Sequence, residues 1–228
     1  MSYEHWRRFC FEELGLTSQP HLVDKWWGIL ERHLGATEAR PYHNLSHVGE
    51  LLNLARMHCP KLSASMGLAI YFHDVIYEPQ KGENEERSAA LFKEFAGEAS
   101  RYVKQEWCSP ENVSDVYSWI IETKHHTTST YVSPFNQGEF LLFLDFDMGI
   151  LGSGRIRYEQ YCDYVRREYS HISSDRFRQG RSEFLKMLLA TPDDRLYRTE
   201  KMRGLFLEKA RDNIAQELKR LEQSSSIL

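Results

Sequence analysis

Histidines and carboxylates stand at four places in this chain where the neighbouring residues are apolar or the spacing is that of a helical turn. His43 and His47 lie four apart in YHNLSH (42–47), so on a helix they would project from one face, a turn from each other. His73 and Asp74 sit side by side inside YFHDVIY (71–77). Asp145 and Asp147 interrupt the apolar run FLLFLDFDMGILG (140–152), and His125 and His126 end TKHH (123–126). Each has a plain structural explanation when taken alone: a satisfied core histidine, a turn, a break in a helix, a solvated pair. Taken together they call for a common one, because buried imidazoles and carboxylates must be paired or must hold a metal. Adjacent helical residues point about 100° apart. His73 and Asp74 therefore converge only on a body lying between their two directions, and an ion is such a body. His47 from a preceding helix and an aspartate from a later one would complete a shell of histidines and carboxylates. Positions left open for water would make it a catalytic rather than a closed structural site.

The elements that must position these residues read as helices. Apolar residues at spacings of three and four mark 4–14, 22–34, 45–57, 84–104, 140–151, 155–169, 176–189 and 200–221. Residues 64–77 are almost wholly apolar, which predicts a central buried helix. Ser109, Pro110 and Glu111 supply a cap, a first-turn proline and a first-turn acid, opening a helix to about Thr123. The only strand-like stretch, STYVSP (129–134), is short. The expectation is an all-α fold, a single helical bundle of about nine or ten helices over residues 1–223, with 224–228 as a disordered tail.

Bulk composition narrows the partners. The 228 residues carry a net charge of −4, with 41% hydrophobic and 27% charged residues. No broad basic surface is implied, so neither a nucleic acid polymer nor a membrane is expected as partner. The four cysteines (10, 59, 108 and 162) form no CxxC pair, and the N-terminus has no apolar signal region. A cytoplasmic location follows as the expectation; the oligomeric state does not emerge from the sequence.

The ordered blocks YHNLSH, HDVIY (73–77), NEERSA (84–89), TKHH and FLDFDMGILG (143–152) resemble the HD-domain superfamily of metal-dependent phosphohydrolases, in its predicted-phosphohydrolase branch. VRREY (165–169) and the GR pair (180–181) also look familial, and the resemblance spans about residues 40–218. It implies hydrolysis of a phosphate ester or anhydride in a small, possibly nucleotide, substrate. It implies His47, His73, Asp74 and one of Asp145 or Asp147 as metal ligands. Asp147 is preferred because DMGI (147–150) matches the DLxxI form of the similar cyclic-nucleotide phosphodiesterases. By the same likeness His43 donates a proton to the leaving group. Members with two metals often carry a histidine where this chain has Asn84, so one divalent ion is expected and a second less so. Mn, Fe, Co, Ni, Zn or, less well, Mg suits mixed histidine and carboxylate ligands. Glu85 or Asp74 would act as base. Lys124, His125, His126 and Arg181 are the candidates to hold the phosphate, with Arg166, Arg167 and Arg178 less favoured. The alternatives are a non-catalytic nucleotide- or phosphometabolite-binding module and a diiron oxygenase on the same fold.

Overall fold

The computed structural model describes residues 1–223. The predicted tail at 224–228 lies outside the described residues. Eleven α-helices follow one another among the described residues: α1 (Tyr3–Glu12), α2 (Pro20–Leu34), α3 (Leu45–His58), α4 (Ala64–Phe72), α5 (Asn84–Ala99), α6 (Pro110–Glu122), α7 (Gln137–Asp147), α8 (Arg155–Glu168), α9 (Ser174–Ala190), the short α10 (Asp193–Leu196) and α11 (Glu200–Gln223). Three 3₁₀ turns, Glu106–Cys108, Thr123–His125 and Met148–Gly152, join them. The only β feature among the described residues is an isolated bridge between Thr37 and Arg40. The all-α expectation holds, and 129–134 is loop as predicted. No helix among these residues is long and apolar enough to cross a membrane, and all four cysteines are free.

α4 is the hub. Every residue from Met66 to Phe72 is buried, and α3, α5, α6 and α7 pack around it. A helix enclosed on all sides has no need of a polar face, which is why this stretch reads as a continuous apolar run. At one side its aromatic residues join Trp6 of α1, Trp26 of α2 and Phe95 of α5; the Trp6–Tyr71 and Trp26–Phe95 rings meet edge-on at 4.9 and 5.4 Å. At the other end of the fold α11 lies on the Met148–Gly152 turn. A Cβ on Gly152 would stand 2.6 Å from the Phe206 carbonyl oxygen, so only glycine allows this approach.

Three helices stop four or more residues short of their predicted ends. α4 ends at Phe72 rather than Tyr77, and His73 caps it. Beyond that point backbone groups find tertiary partners: the Arg40 guanidinium donates to the Asp74 and Val75 carbonyls, and Ser88 Oγ accepts from Ile76 N and donates to Ile76 O at 3.0 and 3.2 Å. α7 gives way to the 3₁₀ turn after Asp147, and α5 ends at Ala99 rather than Lys104. His43 also departs from expectation. It precedes α3, whose N-cap Asn44 accepts a hydrogen bond from Ser46 N at 2.8 Å, so His43 and His47 do not share a helix face.

Candidate metal centre

Helix ends bring the candidate ligands together. His47 projects from the first turn of α3, His73 caps α4, Asp74 follows in the turn, and Asp147 is the last residue of α7. One atom each of His47, His73 and Asp147 lies within 4.8 Å of the others. The closest pairs are His47 Nε2 to Asp147 Oδ1 at 3.1 Å and His47 Nε2 to His73 Nε2 at 3.2 Å. His73 Nε2 stands 3.6 Å from Asp147 Oδ1. Asp74 Oδ2 completes the cluster, 3.3 Å from His73 Nε2 and 3.5 Å from His47 Nε2.

These separations fit a shared cation. Ligand bonds of about 2.0–2.2 Å place neighbouring donors roughly 3.0 Å apart in an octahedral shell and roughly 3.4 Å apart in a tetrahedral one. The tautomer of His73 agrees: its Nδ1 donates to the Ile70 carbonyl at 3.0 Å, leaving the Nε2 lone pair aimed at the cluster. His47 Nδ1 is buried without a hydrogen-bond partner. The electrostatics are those of a cation site. Burial alone would lower the His73 value, but Asp74 and Asp147 outweigh it and raise it well above the ordinary imidazole range. Burial would raise Asp147, yet His73, His126 and His47 hold it well below the carboxylate range; His73 does the same for Asp74 against the same burial.

The two aspartates of FLDFD part company. Asp145 is not at the cluster. It accepts from Arg198 N at 2.5 Å, Thr199 N at 2.8 Å and Thr199 Oγ1 at 2.6 Å, fastening the start of α11. At roughly 100° per residue, positions two apart on α7 face nearly opposite ways, so one of the pair must turn from the site.

TKHH divides as well. His126 Nε2 meets Asp147 Oδ2 at 2.8 Å, beside the ligands rather than in a separate phosphate patch. His125 is exposed, and Lys124 donates to Glu86 and the Gly82 carbonyl, at 2.8 and 2.6 Å. Glu85 forms a long ion pair with Lys124 at 3.8 Å. Asn84 braces the preceding loop, accepting from Glu78 N and donating to the Glu78 and Lys81 carbonyls. Arg181 is buried, and its charge is engaged by Glu217, with contacts of 2.8 and 3.1 Å. That carboxylate comes from α11, too distant in sequence for the pairing with Arg181 to be anticipated. Arg166 donates to the Tyr169 and Ile172 carbonyls, and Arg178 pairs with Asp175.

A residue not anticipated stands behind His43. Glu168, buried at the end of α8, takes His43 Nδ1 at 2.6 Å on one oxygen, and His43 N and Tyr42 N at 3.0 and 2.8 Å on the other. Burial would raise Glu168, but these donors bring it below the usual range. Tyr77 stacks on the His43 ring at 3.9 Å. With Nδ1 held by the carboxylate, Nε2 is left for proton exchange, and the His43 ring centroid is 5.9 Å from that of His47. The signal was present in VRREY: Glu168 follows Val165 at helical spacing on the buried face of α8. Arg40 was also missed; it ties the His43 carbonyl to those of Asp74 and Val75.

No family model matches this chain, and searches of curated proteins and of solved structures return no match.

Proposed function

We propose that this chain is a metal-dependent phosphohydrolase of the HD-domain type, acting on a phosphate ester or anhydride of a small molecule. The observation that carries the reading is the pairing of the His47–His73–Asp74–Asp147 cluster with a carboxylate-oriented histidine close by. A divalent cation held by those four residues would lower the pKa of a water and offset phosphoryl charge. Water oxygen forms the new bond to phosphorus as the bond to the leaving oxygen breaks, its electron pair departing with that oxygen. His43 Nε2 gives its proton to the leaving oxygen, with Glu168 balancing the charge behind the ring. Asp74, the slightly more exposed of the cluster's two carboxylates, takes the water's proton. His126 fixes the orientation of Asp147 through its other oxygen.

The test is a screen of phosphate esters and anhydrides on protein stripped of metal and reloaded with Mn, Fe, Co, Ni, Zn or Mg ions, with metal content measured on the same sample. Activity should return with bound ion and disappear in the double variant His73→Ala/Asp74→Ala. Full turnover by a metal-free double variant would overturn the reading.

A further inference from the structure

Beside His43, on the side of α8 and α9, the fold forms a half-open cavity of about 440 Å³, within the usual range for small-molecule sites. Its walls are aromatic: Tyr77, Tyr161, Tyr169, Phe177 and Phe184. We propose that this cavity is the leaving-group pocket and that it selects phosphate esters whose alcohol carries a planar ring. The inference rests on the hydrolase reading for the role of His43. It rests on the cavity for the class of ligand.

Position comes first. His43 lines the cavity and lies next to the metal cluster. A group attached to the oxygen that His43 protonates must extend away from the phosphorus, and this cavity is where His43 opens. Chemistry comes second. Apart from His43, the ionisable side chains lining it besides the tyrosines are Arg176 and Arg181, and no Asp, Glu, Asn or Gln contributes. Arg181 is engaged by Glu217 and also donates to Tyr161 Oη at 3.4 Å. A polyol placed here would bury hydroxyls with few acceptors to meet them. A flat ring would stack or meet the walls edge-on, at no such cost. Arg176 at the mouth is exposed and makes no ion pair among the described residues, so it is available to the polar edge of a ring.

Gly180 is the third observation. It lies within α9, where glycine weakens a helix. No packing requires it: a Cβ there would meet nothing within 4 Å. Yet it lines the cavity, and the space beside its Cα is open to a larger side chain.

The experiment compares esters matched in leaving-group acidity, on the full chain loaded with Mn ions. Adenosine 5′-monophosphate is set against ribose 5-phosphate, and 2-phenylethyl phosphate against n-butyl phosphate. At least one ring-bearing ester should exceed its partner in kcat/KM by about tenfold, as ring stacking of ordinary strength gives; which pair responds tells a nucleobase from an arene. Gly180→Leu, which plugs the cavity without a steric clash at its Cβ, should abolish the preference, and Phe184→Ala, at a half-exposed site, should reduce it. Helicity and metal content measured on both variants check that they fold. Equal kcat/KM within both pairs, or a preference unchanged in Gly180→Leu, overturns the proposal. Binding of adenosine and 2-phenylethanol, followed by saturation-transfer NMR, separates it from the hydrolase reading. If no ester is turned over, ring binding that Gly180→Leu removes still supports the pocket. If neither ring compound binds the wild-type protein, the pocket fails even where esters are hydrolysed.

Discussion

Two imidazole nitrogens 3.2 Å apart, with carboxylate oxygens 3.1 to 3.6 Å from one or the other, can share a proton or a cation. Which of them is present depends on pH. Asp74 and Asp147 raise His73 well above the imidazole range in the ion-free chain, so an entering cation must displace a proton. Cation affinity should therefore climb as pH rises toward that raised value, with proton release visible by calorimetry in buffers of different ionisation enthalpy. The sign for stability is the reverse. Without the ion, the contribution of protonated His73 is complete below the unfolded value of about 6.5 and is lost as pH rises through the folded one. Chelator-treated protein should melt at lower temperature as pH is raised, and cation-loaded protein should be spared that loss. A pH-independent affinity would refute the shared-proton account. Glu168 carries a second prediction at this scale. Glu168→Gln keeps the shape but removes the charge behind His43, so kcat for alkyl phosphates should fall by about 10²-fold. An aryl phosphate whose leaving group needs no proton should lose far less. Equal losses for both esters would mean that Glu168 serves only the fold.

Among elements, helix ends matter more than helix faces. α3, α4 and α7 each bring a ligand within a turn of a terminus, and the start of α11 is fastened by Asp145. Replacing Asp145 by Ala should cost about 2–4 kcal/mol through three lost hydrogen bonds in a buried setting, read by denaturant unfolding, with metal binding retained. Asp147→Ala should do the opposite, losing the metal while leaving ion-free stability less affected. Metal loss in both variants would contradict the division of roles. The helices themselves were legible, because apolar residues at spacings of three and four need only the local sequence. Their ends were not: α4 stops at Phe72 because Arg40 and Ser88, from elsewhere in the chain, take up the next backbone groups. The choice of Asp147 over Asp145 came from resemblance. Geometry required only that the two face apart.

For the molecule as a whole, the apolar hub of α4 could be read from composition alone, and the His/Asp cluster from polar residues that interrupt apolar runs. What escaped were the pairings outside that cluster: Glu168 with His43, Glu217 with Arg181, His126 with Asp147. No local pattern encodes such a partner. Arg181 illustrates the point, since a free arginine and one paired with a buried glutamate look alike in one dimension.

The bonds from Glu168 to Tyr42 and His43 span 126 and 125 residues, the longest sequence separations in the site. Closing so large a loop is slow relative to forming helices or local helix pairs. During refolding, helical ellipticity should recover first and alkyl-phosphate turnover last, separated by a phase that Glu168→Gln alters. Synthesis imposes the same order: His43 leaves the ribosome long before Glu168 exists to orient it, so the nascent chain can hold its helices before it can fix that imidazole.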